Sequence, residues 1–240
     1  MSTGPAGYLG GTFDPVHRGH LQLGRDALAQ LGLASITFVP AGDPWQKRDA
    51  TPRSERLRML EIALASFPGA TIDRREIDRP GPTYTVDTLR ALRAELGPEQ
   101  AIVWILGEDQ LRRLDTWSRW EDLFALAHVA HARRPGAEAT LPLPVVRALE
   151  ARRADAAVLR ATPAGAVVEF PMQAVDCSAT RIRRHLARPA VCAGVDDASG
   201  DADGGGFARD MLPPGVLEYI LSRNLYGTGH GNPGIAQARH

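Results

Sequence analysis

Cysteine is scarce in this 240-residue chain. There are two, Cys177 and Cys192, in neither a CxxC pair nor a metal-ligand spacing. That excludes a disulfide scaffold and makes free thiols in a reducing cytoplasm the simplest expectation. Long apolar runs are absent too: no stretch approaches the roughly 18 residues of a spanning helix. The first residues lack the basic, then apolar, then small-residue order of a secretory signal. Net charge is missing as well, with 28 basic against 28 acidic residues. No global field therefore favours nucleic acid or an anionic membrane as partner, and any phosphate must be recognised by local groups. What remains is an ordinary globular composition, 44% apolar and 23% charged. The length fits one large domain or two small ones.

Short β-rich runs alternate with longer helical patterns. The strands expected are 7–10, 34–40, 70–77, 101–107, 128–133 and 166–170, with helices near 19–31, 52–66, 84–96, 118–127 and 143–155. Thr51 before Pro52 reads as an N-cap and first-turn proline, and Ser118 with Glu121 has the spacing of a capping box. "AIVWILG" (101–107) is apolar almost throughout, as in a strand covered on both faces. The expected fold is α/β: a Rossmann-like, doubly wound, mostly parallel sheet with helices on both faces. Ligands in such sheets sit beyond the carboxyl ends of the strands, so functional residues should follow strands. No repeat or linker between two cores is visible. Residues 1–226 are expected to form one domain, with a flexible insertion at 189–210 centred on "GVDDASGDADGGG" and a disordered tail at 227–240.

The string "GYLGGTFDPVHRGH" (7–20) ends the first strand and opens the first helix. Gly10 and Gly11 permit a tight turn and close approach of a ligand to the backbone. The following helix start offers unpaired N–H groups and a positive dipole end, both favouring phosphate. His17 and His20, one turn apart, can face the same anion and donate hydrogen bonds to charge developing on it. On pattern alone the pair could also be two metal ligands lacking a third, or two unrelated surface histidines.

Gly107 and Asp109 follow the strand 101–107, which sets a carboxylate at the ligand edge; a helix-starting acid is the structural alternative. Ser178, Thr180 and Arg183 read as hydroxyls and a cation at a helix start, suited to a triphosphate or simply to a Ser-capped basic helix. His128 and His131 lie on a strand, where an offset of three sends side chains to opposite faces.

The first string closely resembles the GTFDPxHxGH signature of a nucleotidyltransferase superfamily, and within it the nicotinate-nucleotide adenylyltransferase family. The likeness runs from about residue 7 to Tyr226. Further strings appear in family order: "GPTYTVDTL" (81–89), "ILGEDQL" (105–111), "TWSRWEDL" (116–123), "HVAHARRPG" (128–136) and "CSATRIR" (177–183). The resemblance implies an enzyme of NAD biosynthesis that joins ATP and nicotinate mononucleotide, with Mg²⁺ bound mainly through the ATP phosphates and no metal ligands from the chain. His17 and His20 would be catalytic. Gly10, Gly11, Thr12, Phe13, Lys47, Gly107, Asp109, Ser178, Thr180 and Arg183 would hold ATP and its phosphates, Asp109 through the ribose hydroxyls. Tyr84, Thr85, Trp117 and Arg134 would hold the mononucleotide. A homo-oligomer remains open. A relative acting on nicotinamide mononucleotide or pantetheine phosphate, or a nucleotide sensor of the same fold, is the alternative. The chain departs from the family at Gln46, where a histidine is usual, at Cys177, where isoleucine is usual, and in the long acidic segment 189–210.

Overall fold

The computed structural model describes residues 4–43, 50–133, 140–187 and 206–228. The chain alternates strand and helix through most of its length: β1 (Ala6–Gly11), α1 (Arg18–Gln30), β2 (Ser35–Pro40), α2 (Arg53–Leu64), β3 (Ala70–Ile72), α3 (Thr85–Leu96), β4 (Ile102–Leu106), α4 (Glu108–Leu111), α5 (Leu123–Leu126), β5 (His128–Arg133), α6 (Leu143–Glu150), β6 (Val167–Pro171), α7 (Ala179–Leu186), α8 (Gly206–Met211) and α9 (Pro214–Ser222). The strands form one six-stranded sheet in the order β3-β2-β1-β4-β5-β6, and every pair is parallel. Because β1 pairs with both β2 and β4, the order reverses there, and a crevice opens at the carboxyl ends of β1 and β4.

The sheet separates two apolar layers. On β4 the buried side chains alternate: Val103 and Ile105 join the layer beneath α1, α2, α7, α8 and α9, whereas Ile102, Trp104 and Leu106 join the one beneath α3, α5 and α6. Covering on both faces is why this strand reads as an unbroken apolar run.

Several elements are shorter than the sequence pattern predicts, each for a local reason. β3 stops at Ile72 because the Asp73 carboxylate accepts from the Arg75 N–H (2.9 Å) and turns the chain. The helix expected at 118–127 shrinks to a 3₁₀ turn at 120–122 followed by α5. Arg119 before it is left-handed (φ 49°), and Ser118 makes no cap. α6 ends at Glu150 rather than near 155, since Arg152 and Ala154 bond to Val167 and extend beside β6. Pro52, not Thr51, is the N-cap of α2. α8 and α9 are not anticipated. α8 occupies residues 206–210 of the expected insertion, whose residues 189–205 lie outside the described residues. α9 starts at a proline pair and buries Val216 and Ile220, one turn apart. Among the described residues no helix is long and apolar enough to cross a membrane.

Candidate active site

A cavity of about 600 Å³ occupies the crevice at the carboxyl edge of the sheet. Its walls come from the β1–α1 turn, the loop after β2, the start of α3, the β4–α4 junction, the Trp117 segment and the start of α7.

The β1–α1 turn is firmly held. Phe13 adopts the left-handed region (φ 51°), which for a bulky residue costs about 1–3 kcal/mol and marks a backbone set by its surroundings. Its ring is buried and meets the edge of His20 at 5.0 Å. The Asp14-Pro15 peptide is cis. The Asp14 side chain, 4% exposed, accepts from the Tyr226 hydroxyl (2.7 Å) and from the Thr51 N–H (3.3 Å). Burial, and then the Asp14 charge, push the Tyr226 phenol well above its ordinary range. The Asp14 carbonyl accepts from Arg183 (2.7 Å), so α7 is latched onto the same turn.

His17 is the N-cap residue of α1 and His20 lies in its first turn. Their rings stack at 3.7 Å with planes 25° apart. His20 Nδ1 accepts from the His17 N–H at 3.3 Å, which leaves Nε2 to carry the proton as a donor in the neutral ring. Both rings line the cavity, beside the N-terminal end of a thirteen-residue helix.

Opposite, Tyr84 and Thr85 open α3, and Trp117 is half-buried across from them; all three line the cavity. Gly107 and Asp109 stand at the end of β4, with Asp109 exposed in the first turn of α4. Ser178 caps α7 through its hydroxyl, which accepts from the Arg181 N–H at 3.2 Å, and Thr180 follows on the same rim.

Residues 8–185 match the cytidylyltransferase-like family. The chain is 41% identical over 227 residues to a protein of Dechloromonas aromatica named "Probable nicotinate-nucleotide adenylyltransferase", over 92% of this chain and 97% of that one. A protein of the same name from Laribacter hongkongensis is 44% identical over 223 residues, over 92% and 93% of the two chains. The chain belongs to the nicotinate-nucleotide adenylyltransferase family. The structure of Plasmodium falciparum nicotinic acid mononucleotide adenylyltransferase complexed with NaAD superimposes with a TM-score of 0.67, over 94% of this chain and 98% of that one. At 16% identity that likeness speaks to the fold.

Of the residues singled out from the sequence of this adenylyltransferase family member, the cavity gathers Gly10, Gly11, Thr12, Phe13, His17, His20, Tyr84, Thr85, Gly107, Asp109, Trp117, Ser178 and Thr180. Arg183 does not line it; its guanidinium is spent on Asp14 and lies 3.4 Å from Thr180 Oγ1. Lys47 and Arg134 lie outside the described residues, as do Trp45 and Gln46. The glycines are also small for a reason the sequence does not show. A Cβ on Gly10 would stand 2.4 Å from the Trp104 ring, and one on Gly11 would stand 2.9 Å from the Phe13 ring. Neither has a positive φ. Their missing side chains make room for protein rings that wall the site. His128 is a satisfied core histidine: Nε2 pairs with the Thr162 carbonyl (2.8 Å) and Nδ1 accepts from the Ala166 N–H (3.1 Å).

Three polar residues that shape the site are not among the candidates the sequence offers. Gln110 bridges the two strand ends, accepting from the Gly107 N–H (3.1 Å) and donating to the Gly10 carbonyl (2.9 Å). Glu76 sits buried in the cavity wall and accepts from the Thr88 hydroxyl at 2.6 Å; burial raises its carboxyl above the usual range. Arg56 lies beneath the β1–α1 turn. Each belongs to a run of charged or polar residues that reads as solvated surface, and none has a spacing that distinguishes it.

Proposed function

We infer that this protein transfers the adenylyl group of ATP to nicotinate mononucleotide, forming nicotinate adenine dinucleotide and pyrophosphate. The observation that carries the reading is one cavity bounded at one end by the paired histidines and the α7 start, and at the other by Tyr84, Thr85 and Trp117. In the proposed reaction an oxygen of the mononucleotide 5′-phosphate attacks the α-phosphorus of ATP in line. The new P–O bond forms as the bond to the bridging α,β-oxygen breaks, and pyrophosphate leaves with that electron pair. The nucleophile is already an anion, so the enzyme's task is alignment and stabilisation of charge.

In this assignment His17 and His20 donate to the α-phosphate oxygens as charge builds. Thr12, Ser178 and Thr180, with the backbone at Gly10, Gly11 and Phe13, hold the phosphates, and Asp109 beside Gly107 accepts from the ribose hydroxyls. Lys47 and Arg183 belong to the phosphate end, Arg183 by fixing the turn. Tyr84, Thr85 and Trp117 hold the pyridine ring, with Arg134 on the mononucleotide phosphate. Mg²⁺ would be carried by the phosphates. Among the described residues no group of three or more His, Cys, Asp or Glu side chains is arranged to hold a metal ion, whereas phosphate oxygens are the hard donors magnesium prefers. When bound, the ion would neutralise triphosphate charge. We further propose that residues 1–226 act as a single unit and that the protein works in the cytoplasm. The bond from Tyr226 to Asp14 and the near absence of cysteine support these two readings.

A substrate panel followed by pyrophosphate release tests the function. ATP with nicotinate mononucleotide is expected to give the highest kcat/KM, at least about tenfold above nicotinamide mononucleotide, a preference within reach of one lost polar contact. CTP, or pantetheine phosphate with ATP, should give no release above background. Highest turnover with any other pair would reject the reading.

A further inference from the structure

Arg56 is a side chain the reaction scheme leaves unused, and it is among the largest fully buried ones in the chain, at 1% exposure. It donates to four backbone carbonyls: Nε to Thr51 (2.8 Å), Nη1 to Thr12 (2.9 Å) and Ala41 (2.7 Å), and Nη2 to Gly42 (2.6 Å). Among the described residues no carboxylate forms an ion pair with it. A guanidinium stays charged even where burial lowers its pKa, so this is a full positive charge clamped by neutral groups.

The clamped carbonyls matter for what lies across each peptide. A trans peptide is planar, with its N–H opposed to its C=O. Holding the Thr12 and Ala41 carbonyls inward therefore turns the Phe13 and Gly42 N–H groups away from Arg56. Neither N–H donates a hydrogen bond among the described residues, and Thr12, Phe13 and Ala41 line the cavity. Alongside, the Gly11 carbonyl accepts from the Ala41 N–H (2.9 Å), which turns the Thr12 N–H away from the loop after β2. Phe13 is left-handed, and left-handed residues occur in the turns whose successive N–H groups form anion-binding concavities.

We propose that Arg56 is a positioning residue for ATP: its fork ties the β1–α1 turn to the loop after β2 and so aims the Phe13 amide at the triphosphate. This rests on the reading that the cavity takes ATP.

The test starts from the unaltered protein, which must release pyrophosphate from ATP and nicotinate mononucleotide. If it does not, that reading and this one fall together. With an active protein, Arg56→Ala is expected to lower kcat/KM for ATP by about 10²–10³-fold while the KM for the mononucleotide moves less than about threefold. Arg56→Lys keeps the charge but cannot span the carbonyls, and should regain less than about a tenth of the loss. Millimolar guanidinium should restore the Ala variant at least about tenfold, and the gain should fall on kcat/KM for ATP while the mononucleotide KM stays put, a split that a merely structural role would not give. Where the variants do not fold, amide resonances of the unaltered protein decide. That of Phe13 should shift on adding a non-hydrolysable ATP analogue. Folded variants with ATP kcat/KM within threefold of the parent, or an unmoved Phe13 amide while Thr180 responds, would overturn the proposal.

Discussion

The His20→Ala variant is expected to turn over about 10²–10⁴-fold more slowly at saturating substrates, with KM values little changed. The effect belongs in kcat because the imidazole acts on charge that appears only as the α-phosphorus is substituted. The variant should remain folded. His20 is half-buried, alanine suits the first turn of α1, and the chief structural loss is the acceptor for the His17 N–H, worth about 1 kcal/mol. A circular-dichroism melt beside steady-state kinetics separates the two effects. Turnover within fivefold of the parent in a folded variant would remove His20 from the chemistry.

Asp14→Ala should clearly destabilise the fold. It strips acceptors from the Tyr226 hydroxyl and the Thr51 N–H and removes a carboxylate whose charge favours the buried Arg56 guanidinium. Two lost hydrogen bonds to a buried carboxylate, with a buried cation left less well compensated, suggest a loss of roughly 2–4 kcal/mol. At about 2–4 °C per kcal/mol for a chain of this size, the melting temperature should fall by about 5–15 °C. Asp14→Asn retains one acceptor oxygen and should fall between. A melting point within about 2 °C of the parent for the Ala variant would show that Asp14 holds nothing together.

Much of this architecture is legible in local patterns. β5 falls on its expected residues, and β1, β2, β4 and β6 within a residue or two, because strands buried on both faces must be short apolar runs. The β1–α1 turn with its two histidines is equally visible, since its residues are neighbours in sequence. What escapes a linear reading is long-range. Gly10 is glycine because of Trp104, and Asp14 is an acid partly because of Tyr226, 212 residues away. Arg183 looks like a phosphate ligand from its place near a helix start, but its partner, the Asp14 carbonyl 169 residues away, is invisible in sequence. Arg56 and Glu76 are hidden for a related reason: a charged residue in a charged stretch reads as surface, and only the packed fold shows its burial.

The most direct test of the central claim is a crystal structure with a non-hydrolysable ATP analogue and nicotinate mononucleotide bound. The account predicts the α-phosphate at the start of α1, with His17 and His20 within hydrogen-bond distance of its oxygens, and the pyridine ring against Tyr84, Thr85 and Trp117. Both ligands bound with the two imidazoles turned away from the phosphates, or the analogue seated outside this crevice, would contradict it.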